Sequence, residues 1–520
     1  MKLQRWLPCL DWAATYDRVT AGKDGLAAVI VTLMLIPQSL AYAMLAGLPP
    51  ITGLYASIAP LFLYAIFGSS RTLAVGPVAV ISLMTAAALG PLFAAESAAY
   101  IGAAMLLAAL SGLLLLLMAL LRLGFLANFL SHPVISGFIS ASGLLIALSQ
   151  FKHILGVKAD GQTVSQLLPS LAEQIPYVNF PTLLIGGLSL LFLQLSRTHL
   201  KGWLLQLGCT PVWADSLTKM GPVVTIIVSV VVVTLGDLAS SGVQVVGAIP
   251  DGLPILRLPT LDWQLAVQLL PAALLISLVG FVESVSVAQT LAAKRRERID
   301  PDQELVGLGA ANIASAVSGG FPVTGGFSRS IVNFDAGART PMAGVLTAIG
   351  IAVTALFFTP LFHNLPHAVL AATIIVAVLS LVDLGSLKRT WRFSKQDFSA
   401  QAATIFGVLF MGVEVGIILG VSLSLLLFLW RTSRPHIAVV GQLPGSEHFR
   451  NIERFNVVQS EQVVSLRVDE SLYFPNARYL EESITRLMVD YPNCQHLVLM
   501  CSGVNLIDAS ALDSLEAITE

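Results

Sequence analysis

Two ionisable residues, Glu283 and Arg329, interrupt strongly apolar stretches of this chain. An ionised side chain at the centre of a membrane helix costs about 2.5–3.5 kcal/mol on insertion scales, so such residues are retained for a purpose. One interpretation is structural: the two form a buried ion pair that ties distant parts of the chain together. The other is functional. Arg329 would supply positive potential to a bound anion, while Glu283, whose desolvation favours the neutral form, would bind a proton together with a dianion.

Glycine-rich breaks open two short apolar stretches. In RTLAVGPVAVI (71–81), a β-branched approach and the turn at Gly76-Pro77 suit a strand that leads into a helix with proline at an early position. In FPVTGGFSRSIV (321–332), Gly325-Gly326 gives way to Ser328, which can cap a helix and offer its hydroxyl to a ligand. Free N–H groups at helix starts carry partial positive charge, so both breaks predict an anion site. The alternative is that the glycines merely interrupt long helices.

A weak internal repeat links these features. The stretch Gln38–Ala43 (QSLAYA) matches Glu283–Ala288 (ESVSVA), and a glycine-rich break follows each. Gln38 is then the neutral counterpart of Glu283. Tyr42, one helical turn later on the same face, either forms a wall of the site or is an ordinary packing aromatic. The repeat predicts two halves of opposite orientation, with interrupted helices meeting near the bilayer midplane.

The composition predicts a membrane protein in which these residues lie. Hydrophobic residues make up 55% of the chain and charged residues 12%, with a mean hydropathy of +0.80, whereas soluble proteins average about 25% charged residues. Apolar runs approach the roughly 20 residues that cross hydrocarbon. We predict fourteen spans, some of half length: 24–43, 51–67, 76–90, 98–121, 131–150, 180–196, 221–236, 266–291, 303–318, 327–337, 341–360, 366–381, 398–412 and 414–430.

The distribution of basic residues predicts that both termini are cytoplasmic. With the N-terminus inside, twenty Lys and Arg residues lie in cytoplasmic segments and three in outer loops, a strong positive-inside bias. The three outer residues are Lys152, Lys158 and Arg257. The cytoplasmic ones are Lys2, Arg5, Arg18, Lys23, Arg71, Arg122, Arg197, Lys201, Lys219, Lys294, Arg295, Arg296, Arg298, Arg339, Lys388, Arg389, Arg392, Lys395, Arg431 and Arg434.

The composition becomes more polar after Arg434. Two strand-like runs, 463–468 and 496–500, flank a helical pattern at 476–489. These predict a soluble α/β domain over 435–520 that is incomplete, because the elements are too few for a closed sheet. The domain plan is thus a cytoplasmic segment 1–23, a transmembrane domain 24–434 with repeats at about 24–237 and 264–431, and this C-terminal domain.

Several functional classes are excluded. The four cysteines have no metal-ligand spacing, so we expect no metal and no cofactor. The chain has no HExxH or GxSxG motif and no P-loop, so we expect neither an enzyme nor an ATP-driven pump. Dispersed basic residues and a net charge of −2 argue against a nucleic-acid partner. His363 and His367 are interpreted as surface residues of an outer loop, and Lys294–Arg298 as a topology determinant.

Several long motifs resemble the sulfate permease (SulP) family, also called solute carrier family 26, and its STAS domain. They are IPQSLAYAMLAGLPPITGLY (36–55), GSSRTLAVGPVAVISLM (68–84), DPDQELVGLGAAN (300–312), GGFSRSIVNFDAGART (325–340) and, for the STAS domain, RVDESLYFPNARYLE (467–481) with NLIDASAL (505–512). The resemblance implies an all-α polytopic protein with a seven-plus-seven inverted repeat, in which a core domain moves against a gate domain in each subunit of a homodimer.

The same resemblance implies an anion held between the third and tenth spans. It assigns the site to Gln38, Tyr42, Val78, Glu283, Phe327, Ser328 and Arg329, beside the helix starts at Gly76, Pro77, Gly325 and Gly326. The acidic residue at 283 resembles proton-coupled members. Sodium-coupled members carry a further acidic residue where this chain has Val287. Phosphorylated STAS domains have Ser or Thr directly after the strand-end Asp, whereas Ala509 follows Asp508 here.

The leading hypothesis is a proton-coupled sulfate importer of a bacterial inner membrane. Alternatives on the same scaffold are a bicarbonate or chloride exchanger, a dicarboxylate carrier, and an anion channel or sensor whose STAS domain contacts a cytoplasmic protein. Backbone dipoles and one arginine attract any small anion, so the sequence does not rank them.

Overall fold

A computed structural model describes residues 7–128, 131–210, 214, 217–218, 220–250 and 252–520. Every predicted span coincides with a helix or a pair of helices. The basic residues Lys2, Arg5 and Lys219 lie outside the described residues. The helices are α1 (Cys9–Ala14), α2 (Arg18–Leu45), α3 (Pro50–Tyr55), α4 (Ala59–Phe67), α5 (Ala79–Leu89), α6 (Ala98–Leu120), α7 (His132–Leu155), α8 (Val164–Gln174), α9 (Phe180–Leu195), α10 (Lys201–Gln206), α11 (Gly221–Leu235), α12 (Trp263–Arg295), α13 (Pro301–Val317), α14 (Phe327–Asp335), α15 (Met342–Phe357), α16 (His367–Leu379), α17 (Leu384–Phe393), α18 (Lys395–Met411), α19 (Val413–Thr432), α20 (Ala477–Asp490) and α21 (Ala509–Thr519).

Among the described residues, length and hydropathy single out eight helical segments that could cross a membrane, with three shorter apolar helices, α5, α11 and α15. The fourteen-span count therefore stays a prediction. Helices α1, α8, α10 and α17 were not predicted. In α17, basic residues alternate with exposed apolar ones such as Leu384 and Phe393, a pattern without the long apolar run on which the span prediction depended.

The chain forms two compact units, one up to Val421 and one from Ser422 to Glu520. In the first unit the helices pack as two groups. One contains α2 to α6 and α12 to α15, with α13 packed against α6 and α4. The other is built around α7, which packs against α9, α16 and α18. The two groups meet where α2 contacts α11 and α16 and where α5 contacts α7.

Two very short strands pair in the middle of the first group, at a point that we call the crossing. Strand β1 (Val75–Gly76) pairs antiparallel with β2 (Thr324–Gly325), with Val75 opposite Gly325 and Gly76 opposite Thr324. Each strand leads directly into a short helix, β1 into α5 and β2 into α14. Because the strands are antiparallel, the two helices leave the crossing in opposite directions and start beside one another. This arrangement agrees with the predicted repeat.

A buried carboxylate joins the start of α13 to the turn after α4. Glu304 is fully buried, and its Oε1 accepts hydrogen bonds from Ser69 N (2.8 Å), Ser69 Oγ (2.7 Å) and Ser70 N (2.8 Å). Its Oε2 accepts a fourth from the Tyr64 hydroxyl (2.8 Å). The turn at 68–71 begins the approach to β1, so this carboxylate fixes the chain that enters the crossing.

The second unit contains a four-stranded sheet in the order β4-β3-β5-β6, where β5 (Val463–Val468) runs parallel to β6 (His496–Met500). Strands β3 (Ile437–Gln442) and β4 (Phe449–Asn451) were missed by the sequence analysis. The element count behind the prediction of an incomplete domain was therefore too low, and the incompleteness itself stays a prediction. Helices α20 and α21 cover a core that includes Leu466, Leu480 and Ala511.

Asp508, at the predicted strand end, caps helix α21. Its Oδ1 accepts a hydrogen bond from Ala511 N and its Oδ2 accepts one from Phe474 N, each 2.8 Å long. The carboxylate thus joins the helix start to the loop before α20, which is a structural role independent of any modification at the neighbouring position.

We expect Glu304→Ala to destabilise the first unit strongly, because four donors lose their acceptor at once. Each buried donor left unsatisfied costs about 1–3 kcal/mol. Glu304→Gln keeps one acceptor oxygen and should be milder. The measurement is thermal unfolding of the detergent-solubilised protein, with Glu173→Ala on an exposed position of α8 as the matched control. Equal melting temperatures for Glu304→Ala and the control would contradict this role.

Candidate functional site

The helix starts at the crossing carry no side-chain caps. Val78 is the N-cap of α5 and Gly326 is the N-cap of α14; both have extended backbone, and neither helix start receives a side-chain hydrogen bond. Two expectations are corrected here. Ser328 is the second residue of α14 rather than its cap, and Pro77 precedes the cap of α5 instead of lying within the helix. Without caps, the first-turn N–H groups remain available to a ligand.

Side chains of α14 satisfy the backbone that approaches β1. Ser330 Oγ accepts a hydrogen bond from Ala74 N (2.9 Å), and Asn333 Nδ2 donates to Thr72 O (3.0 Å). Both side chains are buried. The helix of the second repeat thus supports the strand of the first.

The approach to β2 is held in a similar way by α12 and α13. Ser284 Oγ accepts from Gly325 N (2.9 Å), while Asn312 both accepts from Val323 N (3.0 Å) and donates to Val323 O (2.9 Å). The sequence analysis assigned these residues no role. A signal existed, because Ser284 adjoins Glu283 and Asn312 ends one of the family-like motifs.

Arg329 is the central charged group of the crossing. Its side chain is buried, with 2% of the residue exposed, and Nη1 donates to Pro77 O at 2.6 Å. The other terminal nitrogen, Nη2, is buried without a hydrogen-bond partner among the described residues. Such an orphaned charged donor is costly unless a ligand satisfies it.

The glycines make room for this guanidinium. A Cβ added at Gly326 would lie 2.9 Å from Arg329 Nε and Nη2, and one at Gly76 would lie 3.3 Å from Nη1. The first distance is shorter than real Cβ contacts allow, and the clash would move the guanidinium from the crossing. Gly76 and Gly326 therefore allow the Arg329 guanidinium to approach the backbone closely, in addition to forming the turns.

Glu283 and Tyr42 lie near Arg329 and interact with it electrostatically. Both are nearly buried, Glu283 with 9% of its surface exposed. No salt bridge joins Glu283 to Arg329 or to any other residue that the structure describes, so the proposed structural ion pair is not formed. Glu283 is a membrane-embedded carboxyl without a charged partner at bonding distance.

A cavity of about 190 Å³ adjoins the start of α14, between the two helix groups. Gln38 and Ser328 line it, together with Arg197, Thr373 and Ser380, which the sequence analysis did not single out. The other predicted residues do not line this cavity. Val78 is buried, while Phe327 at the first position of α14 is 42% exposed.

The far end of α14 is held by Arg295. Its Nη1 donates to Ala338 O (2.6 Å) and its Nη2 to Phe334 O (3.3 Å), and the guanidinium lies 4.3 Å from the centre of the Phe334 ring. A cation at a helix C-terminus balances the negative end of the helix dipole. The basic segment 294–298 therefore contains a structural clamp in addition to its predicted topological role.

Comparisons with known proteins agree with this architecture. Residues 22–404 match the sulfate permease family and residues 454–520 match the STAS domain. The chain is 38% identical to chloroplastic sulfate transporter 4.1 of Arabidopsis thaliana, over 99% of this chain and 76% of that protein. It is 33% identical to high affinity sulfate transporter 2 of Stylosanthes hamata, over 99% of this chain and 79% of that protein.

Solved structures share the fold. The murine solute carrier 26 family member A9 anion transporter, in its inward-facing state, superposes with a TM-score of 0.88 at 24% identity, covering 99% of this chain and 86% of that one. The transmembrane domain of the cyanobacterial bicarbonate transporter BicA gives a TM-score of 0.66 at 22% identity, covering 78% and 98%. The chain therefore belongs to the sulfate permease family, as a multi-pass membrane protein that transports an anion, is not an enzyme and carries a STAS domain.

Proposed function

We propose that this protein imports sulfate together with protons by alternating access. The observation that carries the proposal is the orphaned Nη2 of Arg329, buried where two uncapped helices begin. A small oxyanion at that point would accept hydrogen bonds from the guanidinium and from first-turn N–H groups, and it would interact with two positive helix ends at once.

Sulfate is the preferred anion because of the relatives. Both plant proteins compared above are named as sulfate transporters and align with almost the whole of this chain. The tetrahedral dianion also suits a site with donors on two sides. Bicarbonate and chloride remain the competing substrates, and the flux experiment below separates them.

The predicted residues take distinct roles in this proposal. Arg329 binds the anion directly, and the backbone of Val78 and Phe327 marks the two helix starts that face it. Ser328 and Gln38 offer hydrogen bonds on the side of the cavity. The Tyr42 ring forms a wall and excludes water from one side of the anion.

Glu283 is the proton-binding group. A dianion beside one arginine leaves an excess negative charge in a poorly solvated site, and protonation of a nearby carboxylate reduces it. Glu283 has the required burial and lies near Arg329 without being neutralised by a salt bridge. Anion and proton would therefore bind together more readily than either alone.

The positive-inside bias supports cytoplasmic termini, with the bacterial inner membrane as the proposed location. The domain limits proposed are 1–23, 24–434 and 435–520. The proposal includes a homodimer and a cytoplasmic protein partner for the STAS domain, both of which rest on the family resemblance.

Glu283→Gln should abolish the stimulation of sulfate uptake by an inward proton gradient, because the amide keeps the shape of the side chain but cannot titrate. Uptake of radiolabelled sulfate into proteoliposomes, with and without the gradient, measures this effect. Glu414→Gln, a partly buried carboxyl at the start of α19, is the matched control and should keep the stimulation.

The result also decides between substrates. Gradient-stimulated sulfate flux that survives in Glu283→Gln would remove Glu283 from the coupling mechanism. Absence of sulfate flux in folded protein that still exchanges bicarbonate or chloride would overturn the sulfate assignment.

Arg329→Lys should raise the KM for the anion at least about tenfold, equivalent to about 1.4 kcal/mol. Lysine keeps the charge but lacks the planar fork that binds Pro77 O with one nitrogen and leaves the other for the anion. Initial uptake rates over a range of sulfate concentrations give the KM. Arg257→Lys, on an exposed predicted outer loop, is the control. An unchanged KM would exclude direct contact between the anion and Arg329.

A further inference from the structure

A second cavity, also of about 190 Å³, lies between the same two helix groups. On one side it is lined by Ala41 and Leu45 of α2 and by Leu83 of α5; on the other it is lined by His153 of α7 and His367 of α16. Its volume is several times the share of one water molecule in the liquid, about 30 Å³. It can therefore hold a small hydrated ion.

The two cavities adjoin successive stretches of α2, next to residues of the proposed anion site. Gln38 lines the first and Ala41 the second, less than one helical turn apart, and Tyr42 lies directly beside Ala41. The second cavity is bounded by Lys152 and by the loop residues Gly161 and Gln162, which the charge distribution places on the outer side. The first is bounded by Arg197, which it places inside.

The polar lining of the second cavity consists of hydrogen-bonding side chains and one cation, Lys152. Its polar side chains are those of Ser149, Gln150, Lys152, His153, Gln162 and His367. None of the described residues that line it is acidic. With Lys152 present and no carboxylate among the described lining residues, this composition favours an anion over a metal cation.

The two histidines have the most specific geometry. Their ring centroids are 6.0 Å apart and their planes are nearly perpendicular, at 80°. Within the described part of the chain, neither ring hydrogen-bonds to another residue, so their nitrogens remain available to a ligand. His367 is half-buried, with its ring against His153 beside the cavity, whereas His363 is exposed.

We propose that this cavity is a second binding station, on the outer side, at which the transported anion is held by Lys152, His153 and His367 before it reaches Arg329. The proposal rests on the proposed transport function for the identity of its ligand. Its physical basis is independent of that function: the ammonium of Lys152 and the imidazole N–H groups of His153 and His367 face a largely apolar cavity, where electrostatic attraction is stronger than in bulk water.

Occupancy of the cavity can be measured by protecting an introduced thiol from labelling. Leu45→Cys is made in a chain whose native residues Cys9, Cys209, Cys494 and Cys501 are replaced by serine, and an impermeant thiol reagent is added outside intact proteoliposomes. Sulfate, bicarbonate and chloride are each compared with gluconate. We expect at least one small anion to slow labelling of the Leu45→Cys variant several-fold.

Three further variants, each combined with Leu45→Cys, identify the protecting site. Protection should be lost when His153→Gln and His367→Gln are combined, and it should persist in the matched control His363→Gln. It should also persist in Arg329→Ala, in which the central site is removed. Protection that is lost with Arg329→Ala but survives the double histidine change would overturn the proposal, because it would place the anion at the central site.

The remaining outcomes are also decisive. A Leu45→Cys thiol that is never labelled from outside, or that no anion protects, overturns the proposal. Protection by bicarbonate or chloride in a protein without sulfate flux leaves the station intact and refutes the sulfate assignment. Sulfate flux without protection of the thiol by any anion would overturn the station and leave the sulfate assignment intact.

Discussion

Extended backbone inside a bilayer must have its N–H and C=O groups satisfied by protein, and this constraint governs the structure around the crossing. Strands β1 and β2 are only two residues long, so their ladder cannot satisfy the chain on either side. Ser284, Asn312, Ser330 and Asn333 complete the hydrogen bonding from three surrounding helices. Irregular backbone at membrane depth is tolerated only where protein encloses it in this way.

The same hydrogen bonds leave the helix starts free. Ser330 uses its hydroxyl on Ala74 N and on Gly326 O, and therefore caps neither helix. The Arg329 guanidinium is held by one bond to Pro77 O, which leaves its second terminal nitrogen without a partner among the described residues. The serine and asparagine side chains around the crossing are thus already engaged by backbone groups, and an anion at the proposed site would bind with little further ordering of the protein.

The sequence was sufficient to predict groups that are conspicuous in apolar surroundings. Glu283, Arg329 and the glycine breaks stand out because charge and glycine are costly within a span. The helices were predicted closely because hydropathy depends on local sequence. Ser328 was misassigned as a cap because helix registers shift by one or two residues at a glycine pair. The contact between His153 and His367 was missed because it joins helices that are distant in sequence and no local pattern reports it.

The hydrogen bonds also determine which parts can move. Helix α14 is held at its start by the pairing of β1 with β2 and at its end by Arg295. Arg295 and Glu283 lie on the same helix, α12, twelve residues or about 18 Å apart. The proposed proton site and anion site are therefore tied into one rigid assembly, and bending within it would break buried bonds.

The interface between this assembly and the group of α7 and α16 is different. It consists largely of apolar side chains such as Leu40, Ile146 and Ile374, and both cavities adjoin it. Apolar surfaces slide without orphaning donors, so exchange of access between the two cavities should occur at this interface.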